Sequence, residues 1–299
     1  VPRRYVTVDV FTDRIFGGNP LAVVLDAETL TTAQMQSIAT EFNYSETTFV
    51  LPPRAPDHSA NVRIFTPRTE VPFAGHPNVG TAVVLAREIE SKGRHSPQRM
   101  VFEEAAGLVS ISLLRERGEP VGAELEAPQH LAVGASVSAQ DAAECLSLAP
   151  SDIALAAHPP QVASVGLPFL VAELQSREAL RRAKPVLAAH ERILPIVGTD
   201  SIFAYVRGAS RGELHARMFS PLDGIVEDPA TGSAVAATIA LLASISIEDG
   251  SLAWRIEQGV EMGRPSLLLG RTSRLRGQVE SVHIAGHAVR VMEGVLRAP

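Results

Sequence analysis

The sequence predicts an α+β protein of two pseudo-symmetric halves, each a curved, barrel-like mixed β-sheet around a central apolar helix. Three observations lead there. NVRIFTP (61–67) and HARMFSP (215–221) share Arg63/Arg217, Phe65/Phe219 and Pro67/Pro221 at an offset of 154 residues, which also sets Phe49 on Phe203 and Glu46 on Asp200. An apolar helix follows each copy, GHPNVGTAVVLARE and TGSAVAATIALLAS, with the offset grown to 157 (His76 to Ser233), so the second loop is three residues longer. A repeat of about half the chain indicates two copies of one supersecondary unit, and a helix apolar nearly all round is buried on all sides. Long successions of strand-like segments without intervening helices speak against a doubly wound sheet.

In chain order, YVTVDVF and LAVVLD read as strands, followed by an amphipathic helix over 31–42, TTAQMQSIATEF. Thr31 or Thr32 would cap it, Met35, Ile38, Ala39 and Phe42 recur at helical spacing, and Asn43-Tyr44-Ser45 ends it. TTFVL, NVRIF and LVSISLL continue the first half; FLVAEL, SIFAYV, HARMF, SLLLG and HAVRVM build the second. Turn residues in RGEP and APQH place the linker within 117–130, giving domains of 1–120 and 121–299, with the last strand able to pack back on the first domain.

With 27 Lys and Arg against 33 Asp and Glu, the net charge of −6 offers no basic field for nucleic acid. The short run Arg181–Lys184 reads as a solvated helix face. Cys145 is the single cysteine, which excludes an intrachain disulfide and a Cys-rich metal site and reads as a buried, inert thiol on the short helix AECLS. RRYVTVDVFT enters directly as a strand without a signal-peptide pattern, and AVAATIALLASISI (234–247) is too short to span a bilayer, so a cytoplasmic protein is expected. P-loop and GxGxxG patterns are absent. HIAGH (283–287) has the spacing of a helical metal pair but reads as a hairpin turning at Ala285-Gly286, so no metal is expected.

Each central helix starts in a polar, glycine-bearing loop: PFAGHPNVG, with Pro77 suited to the first helical position, and EDPATGSA. Helix N-termini expose unpaired N–H groups and partial positive charge, so both loops can bind a carboxylate without Lys or Arg. The repeat puts Glu46, His76, Asp228 and Ser233 at comparable loop positions, expected to face one cleft between the halves. Each also has an ordinary structural reading: a strand-end carboxylate, a helix cap, a turn and an N-cap.

Taken together, VDVFT, GGNPLAVVLDA, NYSETTFV, FTPRTEVPFAGHPNVGTA, FSPLDGIVEDPATGSA and EQGVEMGRPS resemble the phenazine-biosynthesis PhzF family, of diaminopimelate-epimerase-like fold. The resemblance implies a cofactor-independent, homodimeric isomerase that moves a proton between ring carbons of a small carboxylate such as trans-2,3-dihydro-3-hydroxyanthranilate. It implies Glu46 as general acid/base, His76, Asp228 and Ser233 as the other active-site positions, and Gly75, Gly232 and Ser233 as carboxylate-binding backbone. Epimerases and racemases of this fold carry a cysteine at the head of each central helix; here those positions are Ala74 and Thr231, so one carboxylate would remove and return the proton. Burial against Phe49 and Tyr44 would tune Glu46 upward toward neutrality. The alternatives are an amino-acid epimerase or racemase, and a non-catalytic small-molecule-binding protein on the same fold.

Overall fold

The computed structural model describes residues 2–297. The chain divides into two units, residues 1–126 with 285–299, and residues 127–284. The division at Glu126/Ala127 falls inside the 117–130 stretch, after a strand that covers residues 119–126.

The first unit contains β1 (Pro2–Val10), β2 (Asn19–Val24), α1 (Thr32–Phe42), β3 (Glu46–Leu51), β4 (Ala60–Phe65), β5 (Glu70–Val71), α2 (Gly75–Ser91), β6 (Arg99–Glu104), β7 (Gly107–Glu116) and β8 (Glu119–Glu126). The second contains β9 (Ala132–Ser136), α3 (Ala139–Cys145), β10 (Gln161–Ser164), β11 (Pro168–Glu173), α4 (Arg177–Arg182), α5 (Leu187–Ile193), β12 (Ile202–Arg207), β13 (Glu213–Ser220), β14 (Ile225–Asp228), α6 (Gly232–Ser244), β15 (Gly250–Gln258) and β16 (Ser266–Leu275). β17 (Gln278–Arg297) contributes to the second unit up to Ile284 and to the first from Ala285.

In the first unit the pairing order β1-β2-β3-β4-β6-β7-β8-β17 returns to β1, which closes a barrel of eight strands. β2–β3 and β4–β6 are parallel pairs. A parallel pair needs a long crossover; α1 supplies the first and α2 the second. The same logic recurs in the second unit, where β11–β12 and β13–β15 are parallel, crossed over by α4–α5 and by α6. The repeat therefore extends beyond its seven-residue motif to the pairing pattern around each central helix.

The central helices sit deep because their residues are small. On α2, His76 to Val84 and Ala86 are buried. A Cβ on Gly80 would come within 3.0 Å of Leu21, Val10 and Val8, so the helix needs glycine there to approach the sheet. Its last turn, with Arg87, Glu88 and Glu90, is polar. On α6, Gly232 and Ala234 to Ala243 are buried without a break, as expected of an all-apolar helix.

The repeated Arg-x-Phe is a structural clamp. Arg63 makes a bidentate bond to Glu70 at 2.8 and 2.7 Å and stacks 5.2 Å above Phe65. Arg217 does the same to Glu227, at 2.8 Å through both nitrogens, and lies 4.9 Å above Phe219. Planar guanidinium suits both the fork and the ring face. Each clamp ties the short strand β5 or β14 to its neighbour just before the central helix begins. Arginine and glutamate are 7 residues apart in the first copy and 10 in the second, so the three-residue insertion lies in the turn at Pro221–Gly224.

α1 follows its sequence signals: Thr31 caps it with a reciprocal bond to Gln34, and Asn43 closes it in the left-handed conformation at φ 52°. Cys145 ends α3, fully buried, its thiol pushed by burial up to about 12. Arg181 and Arg182 lie exposed on α4 beside Glu178 and Asp152. Two local expectations change. α2 starts at Gly75 with Ala74 as N-cap, so Pro77 occupies the third helical position, where a missing N–H still breaks no intrahelical bond. HIAGH does not turn: β17 runs continuously through Ala285-Gly286. Gly286 is small because Phe11 packs on it, and Gly122 on β8 is small because a Cβ there would meet the Gly286 carbonyl oxygen at 2.2 Å. The two-residue type I′ geometry instead appears at Arg117-Gly118 (φ 51° and 90°) and Arg276-Gly277 (φ 51° and 83°).

Candidate active site

Glu46 is the first residue of β3, three residues after the cap that ends α1, in register with Leu21 of β2. Side chains alternate along a strand, so Glu46 shares a face with Thr48, whose hydroxyl lies 2.9 Å from that of Thr81 on α2. Glu46 accordingly points at the helix. Its Oε2 is 3.4 Å from Nε2 of His76, with side-chain exposures of 17% and 6%. The expected burial against Phe49 is corrected by the same alternation: Phe49 lies on the opposite face, in the cluster formed with Met35 and Phe65 under α1. Tyr44 packs against Phe42 with tilted rings, centroids 6.0 Å apart. What surrounds Glu46 is the head of the central helix.

His76 is the second residue of α2. Burial lowers its pKa from 6.5 to about 3, so near neutral pH the ring is uncharged and its contact with Glu46 is not an ion pair. The expected result of a proton NMR titration is a His76 ring resonance that stays flat between pH 8 and pH 5; a midpoint near 6.5 would contradict the burial. The sign for stability follows: below 6.5 the unfolded chain binds a proton that the folded ring refuses, so this group weakens folding as pH falls from 6.5 toward 3.

Two residues not singled out by the motif reading support this head. Asn78 donates to the carbonyl of its N-cap residue Ala74 at 3.0 Å, fixing the loop. Glu104, at the end of β6, has both carboxyl oxygens buried without a well-formed hydrogen bond; desolvation raises its pKa to about 8 against a smaller opposing effect of Asn78.

The second unit holds the matching loop. Asp228 ends β14, buried, and its Oδ2 accepts from the hydroxyl of Thr231 at 2.5 Å. Gln258, fully buried at the end of β15, accepts from Thr231 N at 3.1 Å and donates to the Asp228 carbonyl at 2.8 Å and to the Thr231 hydroxyl at 3.1 Å. It holds Asp228 and Thr231 in one geometry, and only its place in EQGVEMGRPS marks it in the sequence. Thr231 is the N-cap of α6, as Ala74 is of α2; Gly232 and Gly75 open the helices, and Ser233 and His76 come second. Neither helix has an acidic residue in its first turn, so each N-terminal end is left uncompensated by its own side chains. Asp200, the counterpart of Glu46, accepts from the Ser201 hydroxyl at 2.7 Å just ahead of β12.

A match to the family described as phenazine biosynthesis-like protein, PhzC-PhzF, spans residues 8–294. The chain belongs to the PhzF family. An uncharacterized isomerase of Mesorhizobium japonicum is 41% identical over 98% of both chains. The trans-2,3-dihydro-3-hydroxyanthranilate isomerase of Pseudomonas chlororaphis is 36% identical over 98% of both. Among solved structures, a predicted epimerase of Pseudomonas aeruginosa superposes with a TM-score of 0.80 at 33% identity, over 99% of this chain and all of that one. A PhzF family protein of Bacillus anthracis gives a TM-score of 0.87 at 24% identity over 99% of both, which speaks for the fold alone. So does a hydroxyproline epimerase of Agrobacterium vitis, at 0.64 and 11%, over 99% of this chain and 92% of that one. This PhzF-family chain thus has the PhzF and proline-racemase-like fold. Among its described residues no helix is long and apolar enough to cross a membrane.

Proposed function

We propose that this protein moves a proton between carbons of a small, ring-bearing unsaturated carboxylate, with Glu46 as the single general acid/base and no cofactor. It is an isomerase, as its full-length relatives are. The observation that carries the finer reading is Glu46 held against the neutral His76 at the head of α2. A carboxylate there can take a proton from a carbon activated by an adjacent conjugated system, and a neutral imidazole can hydrogen-bond the developing charge without competing for the proton. Gly75 is assigned the substrate carboxylate through N–H groups at the head of α2; in the second unit Gly232 and Ser233, with Asp228 just upstream, form the matching helix head, whose N–H groups suit a carboxylate in the same way. Dihydro-3-hydroxyanthranilate is the substrate class favoured by the Pseudomonas chlororaphis relative.

The predicted-epimerase relative favours a second reading, inversion at one carbon of an amino-acid-like substrate. Inversion requires an acid on the opposite face from the base. Ala74 carries no ionisable group, and the Thr231 hydroxyl is engaged by Asp228 and Gln258, so the single-base reading is preferred. Incubation in D2O with trans-2,3-dihydro-3-hydroxyanthranilate and a panel of cyclic unsaturated carboxylates tests it by mass spectrometry and NMR. Isomerisation with solvent deuterium delivered to the face from which the proton left is expected. Delivery to the opposite face of the same carbon supports epimerisation, and absence of both exchange and turnover across the panel overturns the reading.

A further inference from the structure

We infer that Phe16, flanked by Ile15, is a substrate-contacting specificity residue: an aromatic wall at the rim of the first unit's site that takes the apolar face of a ring-bearing carboxylate. This rests on the substrate class proposed above. The observations begin with the loop 11–18 between β1 and β2. Phe16 is 67% and Ile15 51% exposed, both among the largest apolar side chains left open to solvent. Single exposed apolar residues are ordinary; the backbone beneath these is not. Phe11 and Phe16 adopt φ of 64° and 68°, where bulky residues are outliers, and Gly18 follows at 61°. Gly18 has no substitute, because a Cβ there would lie 2.2 Å from the Val10 carbonyl oxygen.

The buried carboxylate of Asp9 accepts the Phe16 N–H at 2.6 Å and so holds the aromatic residue in its unfavourable conformation. The Thr12 hydroxyl accepts from Arg14 N and donates to the Arg14 carbonyl, bracing the rest of the loop. Backbone strain kept in place by buried bonds concentrates at functional sites. Here it fixes Phe16 outward beside the exposed Ile15, a poor arrangement for folding alone.

The location gives the strain a purpose. Asn19, fully buried at the start of β2, accepts from the hydroxyl of Ser45, the residue before Glu46, at 3.2 Å. Phe16 is three residues from Asn19, so its Cα lies within about 10 Å of that anchor. Arg14 and Asp13, paired with each other at 3.5 Å, are exposed beside them, so the tip presents its apolar surface next to two charges that offset one another.

The test uses Glu46→Gln protein, which should hold ligand without turning it over. Calorimetry compares 1-cyclohexenecarboxylate with open-chain crotonate, with and without Phe16→Ala or Phe16→Leu. Loss of the aromatic face is expected to weaken the ring compound about tenfold or more in Phe16→Ala, with Leu restoring most of it and crotonate changing less than about twofold. Unchanged melting temperatures show that the fold is intact. If Glu46→Gln binds the ring compound and Phe16→Ala binds it equally well, this inference fails and the proposed function stands. If Glu46→Gln binds neither compound, the proposed function fails and takes the inference with it. If Phe16→Ala changes sedimentation but not ligand affinity, the loop contacts a second copy and the inference is overturned.

Discussion

Glu46→Gln is expected to lower turnover by a factor of about 10² to 10⁴ while leaving ligand affinity within a few-fold of the parent. The amide preserves the shape and the contact toward His76 but cannot accept the proton. Because one group both removes and returns that proton in the proposed mechanism, solvent deuterium exchange should fall in parallel with isomerisation. Steady-state kinetics and exchange on the same sample check this. Retained exchange with lost isomerisation would mean that another base removes the proton and that Glu46 serves only the return step. Near-normal turnover would end the single-base reading altogether. His76→Asn should do less, because a neutral hydrogen-bonding group is replaced by another; a loss as large as that of Glu46→Gln would move proton transfer to the imidazole.

The large features were legible in the sequence because they recur. Arg63 and Arg217 repeat for a mechanical reason, the guanidinium clamp onto Glu70 and Glu227, and an identity imposed by geometry survives in both copies. The central helices were legible because full burial leaves only small and apolar residues. The strands carrying charge escaped notice. β8 and β15 alternate inward apolar with outward charged residues, as in WRIE of β15, and β9 is exposed throughout. Around Glu46, position was legible but orientation was not: the strand's two-residue period sends Phe49 away from the carboxylate and brings His76 to it. Gln258 was hidden for a related reason, since a lone glutamine signals nothing until three bonds from one side chain converge on the Asp228–Thr231 loop.

Glu103 and Glu104 are adjacent in the sequence and opposite in chemistry. Glu103 accepts from His58, from the Arg54 and Ala55 N–H groups and from Asn61, which lower its pKa to about 2. One residue on, the strand presents its other face, and the half-buried Glu104 has its carboxyl oxygens out of solvent, with its pKa raised from 4.5 to about 8. The folded protein therefore keeps a proton on Glu104 that the unfolded chain releases above 4.5. Stability from this group is complete below that pH and is lost as pH rises through about 8, at roughly 1.4 kcal/mol per pH unit in between and on the order of 5 kcal/mol in total. Glu104→Gln keeps the shape and never ionises, and its N–H can donate to Asn78 Oδ1, itself buried without a well-formed bond. Urea unfolding should find the variant and the parent nearly equal at pH 5, with the variant more stable at pH 9 by a few kcal/mol. His76 loses stability on the acid side in both proteins, so the difference between the two curves isolates Glu104. Parallel curves would mean that water or a counter-charge reaches the carboxyl, and Glu104 would then be an ordinary ionised carboxylate beside the head of α2.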